Sequence, residues 1–114
     1  MTSATTEFFN ALSKREHEPM LEKTTGTVRF DLTDGKRTER WLVSVNRGDI
    51  AVSHKNAAAD CIVRAPRKVF DRIATGEVNA MAAILRGAIA LEGESVMAVL
   101  FQRLFPPPPR TANP

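Results

Sequence analysis

The chain has 114 residues, 43% hydrophobic and 25% charged, with a formal net charge of +3. That is enough for one domain with its own core, and the balance excludes a chain disordered throughout. The cations are scattered, with no run of like charge and no basic stripe interleaved with aromatics, so nucleic acid is not an expected partner. A mild basic excess suits anionic lipid head groups or acidic partners.

Residues 1–6 are small and polar and read as a flexible start. Phe8, Phe9 and Leu12 recur at helical spacing, with Lys14 and Arg15 suited to a C-terminal turn, and Pro19 ends helical geometry by Glu18. Three strands follow. Thr27 to Leu32 alternates apolar and polar residues, Asp34-Gly35 marks a tight turn, and Arg40 to Val45 places Trp41, Val43 and Val45 on one face. Asn46-Arg47-Gly48 turns the chain into Ile50-Ala51-Val52-Ser53, completing an antiparallel meander. A polar, Ala-rich link over 54–59 leads to a fourth strand, Asp60 to Arg64.

Pro66 sits where a helix starts, Val69, Phe70 and Ile73 line its apolar side, and Gly76 ends it in a left-handed conformation. Asn79 caps a second helix carrying Met81, Ile84, Leu85 and Ala88 at i, i+3, i+4 and i+7, which Gly87 stops. Ala88 to Glu92 alternates as a fifth strand. Glu94 opens a last helix that is apolar around much of its circumference through Phe105. Residues 106–109 are proline and, with 110–114, read as an extended tail. Strands come mostly first and helices mostly later, so the fold class is α+β, with one domain over 7–105.

The chemistry of an enzyme is sparse. His17 and His54 have no partner at metal-ligand spacing, so no metal is expected, and the glycines form no phosphate loop or dinucleotide fingerprint, so no cofactor is expected. Cys61 is the single cysteine, which rules out an internal disulfide; in an apolar run it reads as a core residue. His54, Asp60 and Cys61 imitate a nucleophile-and-base set only by nearness in sequence. Asp31 and Asp34 read as turn acids that satisfy local backbone donors. No stretch approaches the roughly 18 apolar residues of a membrane span, and residues 1–12 lack the basic start and apolar run of a signal peptide. A soluble, cytoplasmic protein without catalytic residues is the expectation.

The apolar surplus lies near the C-terminus. Met81, Met97, Phe101 and Phe105 are flexible or large, and a helix apolar on nearly every side needs cover. One face packs on the sheet; the other lines a ligand pocket, completes the core, or meets an enzyme partner or a second copy in a homodimer.

The series Ala59-Asp60-Cys61-Ile62-Val63, Ile73-Ala74-Thr75-Gly76, Asn79-Ala80 and Arg86-Gly87-Ala88-Ile89-Ala90-Leu91-Glu92-Gly93, followed by the apolar helix, resembles the second half of sterol carrier protein 2 domains. Phe8-Phe9, Glu18-Pro19-Met20-Leu21, Gly26 to Asp31 and Glu39-Arg40-Trp41 resemble stand-alone bacterial members. The resemblance implies a five-stranded, mostly antiparallel sheet covered by helices and enclosing a hydrophobic tunnel. It implies binding and transfer of a fatty acid, acyl-CoA or sterol rather than catalysis. The lining it implies comes from Phe70, Ile73, Met81, Ile84, Leu85 and Ile89, then Leu91, Val96, Met97, Leu100, Phe101 and Leu104, with Trp41 and Val43 as lesser candidates. A tunnel of about 300–1,000 Å³ is expected. Arg64, Arg67 or Arg86 would hold an acidic head at its mouth, or be solvated surface charges. The peroxisomal C-terminal tripeptide of eukaryotic members is absent, which fits a bacterial cytoplasm.

Overall fold

The computed structural model describes residues 3–105; the proline-rich tail lies outside them. Helix α1 (Ala4–Arg15) opens earlier than Phe8, where the apolar periodicity begins. Ser3 is the reason: its hydroxyl accepts the Thr6 N–H at 3.1 Å and caps the helix. Thr5 is fully buried, and its N–H donates to Asp71 Oδ1 at 3.0 Å. Phe9 and Leu12 face the core. Glu16 takes φ +60 and ends the helix, and a single tight turn over Pro19–Leu21 leads into the sheet.

Strands β1 (Thr25–Asp34), β2 (Arg37–Asn46) and β3 (Asp49–Ser53) form the expected meander. The second hairpin has a two-residue loop, Arg47-Gly48, with both residues at positive φ, the twist that closes a tight antiparallel turn. The next segment carries the chain past β1, so β4 (Cys61–Pro66) pairs with β1 in parallel. β5 (Ala90–Gly93) closes the far edge antiparallel to β4. The sheet order is β3-β2-β1-β4-β5, mixed, with one parallel pair.

Helices α2 (Arg67–Ala74), α3 (Ala80–Leu85) and α4 (Ser95–Phe101), then a short turn over Gln102–Leu104, complete the α+β architecture. Asn79 caps α3 as its sequence predicts, accepting the Ala82 N–H at 3.0 Å. Alternation along the strands puts Val28, Phe30, Leu32, Trp41, Val43, Val45, Cys61 and Val63 on one buried face, against the helices. The core is aromatic. Phe9 stacks on Trp41 at 4.5 Å between ring centroids and on Phe70 at 5.5 Å, and Phe30 meets Phe70 and Phe101 edge-on.

The opposite sheet face holds a charge cluster. Asp31, which the sequence suggests is a turn acid, is 6% exposed and sits mid-strand. Arg29 clamps it through Nε at 2.9 Å and Nη2 at 3.0 Å, with Arg40 and Arg64 at 3.7 and 3.9 Å. Arg29 also donates to the Ala57 carbonyl at 3.0 Å, fastening the crossing segment over this face.

Candidate functional site

An apolar cavity lies between the sheet and the last three helices. The sheet contributes Phe30, Val63 and Leu91, α2 contributes Phe70 and Ile73, and α3 contributes Ala80 and Ile84. Ile89, Ala98, Phe101, Gln102 and Phe105 complete the wall. The free volume is about 20 Å³, room for little more than one water molecule. The tunnel of about 300–1,000 Å³ that the resemblance implies is not seen in this conformation, in which the side chains close on one another.

Six residues that the resemblance points to are brought together on this wall: Phe70, Ile73, Ile84, Ile89, Leu91 and Phe101. Met97 and Leu104 are buried elsewhere, Met97 against Gly26 and Leu104 in a groove with Phe8 and Leu12 of α1. Met81 and Leu100 are half-buried outside the lining. Leu85 and Val96 face solvent, 80% and 59% exposed. The cause is helix rotation. On α3 the inward residues are Ala80, Ala83 and Ile84, one position round from the face that Met81 and Leu85 define. On α4 they are Met97, Ala98 and Phe101, leaving Val96 and Val99 outside. Small alanines let the helices approach closely, and a count of large apolar residues overlooks them. Trp41 and Val43 are buried but absent from this wall; Trp41 packs against Phe9 and His54 instead.

Sequence reasoning also passed over Phe30, Val63, Ala80, Ala98, Gln102 and Phe105 as lining. Strand alternation was the available signal for Phe30 and Val63. Gln102 is the one polar side chain on the wall and follows Phe101 directly. Among the described residues, no ionisable side chain lines the cavity. Of the candidate head-group cations, Arg64 contacts Glu92 and the Asp31 cluster on the opposite sheet face, and Arg67 lies 3.2 Å from Glu39. Arg86 is exposed at the C-cap of α3, between the lining residues Ile84 and Ile89 in the chain, and has no ion pair among the described residues.

The nucleophile-and-base set is not joined by hydrogen bonds. Asp60 Oδ2 accepts the Thr27 N–H at 2.9 Å, and His54 Nδ1 donates to the Arg40 carbonyl at 2.9 Å. Cys61 is fully buried, and desolvation pushes its thiol pKa up, away from the thiolate a nucleophile needs. Among the described residues, no His, Cys, Asp and Glu group of three or more is arranged to hold a metal. No described helix is long and apolar enough to cross a membrane.

The family model of the SCP-2 sterol transfer family matches residues 9–106. No curated protein matches the sequence. Among solved structures, palmitated SCP2L2 from Aedes aegypti is similar with a TM-score of 0.71 at 18% identity, over 96% of this chain and 100% of that one. Sterol carrier protein 2 from Aedes aegypti, in complex with palmitate, has a TM-score of 0.69 at 19% identity over 90% and 94% of the two chains. The sec-alkylsulfatase Pisa1 from Pseudomonas sp. has a TM-score of 0.69 at 20% identity over 91% of this chain. This chain spans only 16% of that sulfatase's length. At these identities the structures establish the fold.

Proposed function

The chain belongs to the SCP-2 sterol transfer family, and from that premise we propose that it binds and transfers a lipid, without catalysing a reaction on it. The observation that carries this reading is the cavity wall: among the described residues, eleven apolar side chains and one amide, with no ionisable group. Such a wall rewards burial of a hydrocarbon chain by about 25 cal/mol per Å² before entropic costs. It offers a polar end only the neutral donor and acceptor of Gln102. A charged carboxylate inside would lack a cation, so an acidic head is placed at the mouth, where Arg86 is free to meet it. Phe70, Ile73, Ile84, Ile89, Leu91 and Phe101 contact the chain first. Met81, Met97, Leu100 and Leu104 join as the cavity widens. Two palmitate-bound structures of the same fold support the ligand class. The test is native mass spectrometry of the purified protein, then organic extraction and titration with a fluorescent fatty acid. A co-purified lipid or saturable binding is the expected result. An empty protein that ignores the probe defeats the proposal.

A second reading is favoured by the solvent-facing Leu85 and Val96: an accessory module that docks on an enzyme or on a second copy. A similar fold within the alkylsulfatase chain supports it. Concentration-dependent mass in analytical ultracentrifugation, lost on Leu85→Ser with Val96→Ser, is its expected signature for self-association.

A further inference from the structure

A cavity of about 20 Å³ has to widen before it holds a lipid chain, which raises the question of which wall yields. The sheet wall is held by its ladders through Phe30, Val63 and Leu91. α2 is pinned to α1, because Asp71 accepts from both the Thr5 N–H and its hydroxyl, and Arg67 donates to Ser3. α4 is fixed at its start, where the Glu94 N–H donates to the Asp60 carbonyl at 2.7 Å, and it buries Met97 and Phe101.

α3 has none of these ties. It is six residues long, its buried side chains are alanines, Ala80 and Ala83, and it packs most sparsely of the four helices. Among the described residues, every hydrogen bond of 79–88 closes within that segment, and no ion pair reaches it. Glycines in the left-handed region bracket it, Gly76 at φ +82 and Gly87 at φ +80. We propose that α3 is the gate of the apolar cavity, a short capped turn that opens its own hydrogen bonds between Gly76 and Gly87 and lifts Ala80 and Ile84 off the Phe70–Ile73 wall. The proposal rests on the lipid-binding reading for its purpose, and on the packing alone for its mechanics.

The two are separated by one pair of measurements on the full chain. Without ligand, the amides of Ala83, Arg86, Gly87 and Ala88 exchange hydrogen at least about 100-fold faster than core amides of β1, with little dependence on low urea, as local opening requires. The second measurement is the uptake rate of a fluorescent fatty acid by the unaltered protein and by Gly87→Val. No atom lies within 4 Å of a Cβ at Gly87, so valine acts there through the backbone, penalising φ +80 in the closed state. Uptake is expected to quicken several-fold. Asn79→Ala, which uncaps α3 without touching either glycine, is the second variant and quickens uptake in the same direction. Uptake at one rate by all three proteins, with α3 amides as slow as those of β1, overturns the gate and leaves lipid binding standing. Fast α3 amides with no uptake by any protein support the opening and sink the lipid-binding reading.

Discussion

Two side chains show how position decides what a charge does. Asp31 is nearly enclosed by Arg29, Arg40 and Arg64, and Arg29 is itself largely buried. Removing the carboxylate alone leaves guanidiniums facing one another. Asp31→Asn is expected to cost about 3 kcal/mol in urea denaturation, and Arg29→Met with Asp31→Leu to recover much of it. An unchanged midpoint in the single variant would mean that the cluster is solvated and energetically idle. His17 is the opposite case, an exposed side chain. Its Nδ1 lies 2.8 Å from Asp49 and its Nε2 3.5 Å from Glu22, and only imidazolium donates to both. These hydrogen bonds raise its pKa above the ordinary 6.5. The folded value is the higher one, so the stabilisation is complete below pH 6.5 and disappears as pH rises through the folded value. The urea midpoint of the protein is expected to fall relative to His17→Gln between about pH 6 and pH 8. Parallel curves would show that the contact contributes nothing.

Among the elements, what was legible follows the range of the signal. Local chemistry sufficed for both hairpins, for the Asn79 cap and for Gly76 as a helix stop, since each depends on a few adjacent residues. The early start of α1 was missed because periodicity begins at Phe8, whereas the Ser3 cap and the Thr5–Asp71 bond are what extend the helix. The role of Asp31 was missed for a long-range reason. Its carboxylate meets Arg40 through the β1–β2 register and Arg64 through the parallel β1–β4 pair, neither readable from nearby residues. On α3 and α4 the reading named Ile84, Met97 and Phe101, which face inward, but overlooked Ala80, Ala83 and Ala98, because alanine carries little weight in an apolar pattern. Gly93 shows the same blindness to close approach. A Cβ there would stand 2.3 Å from the Asp60 carbonyl oxygen, at φ +87. Gly93→Ala is therefore expected to push β5 and the start of α4 off β4 and to lower the melting temperature, whereas Gly35→Ala, with nothing within 4 Å, carries only the backbone strain of φ +63. Equal losses in the two variants would mean that contact at Asp60 is not the constraint.

For the whole molecule, the closed cavity and the proposed ligand are coupled through stability. The apolar walls meet in the free protein, so the core is complete without cargo, and a bound chain adds buried area only after α3 yields. A ligand that binds the folded state alone raises stability by about 2.7 kcal/mol at a hundredfold excess over its Kd, a shift of roughly 10–20 °C for a domain of about this size. Palmitate, or a neutral long-chain alcohol matched to Gln102, is expected to raise the melting temperature by that order. Ile84 offers the control. It lines the cavity but is only half-buried, so Ile84→Lys sends its ammonium outward along the edge of α3 at small cost to the free fold. The bound state suffers more, because the lysine stem and charge now border the space the chain would fill. The variant should melt near the unaltered protein without lipid and gain little on adding it. If both proteins gain equally, the lipid lies elsewhere, with the groove lined by Phe8, Leu12 and Leu104 the next place to look. If neither gains, the cavity is core, and the exposed faces of α3 and α4 become the site to pursue.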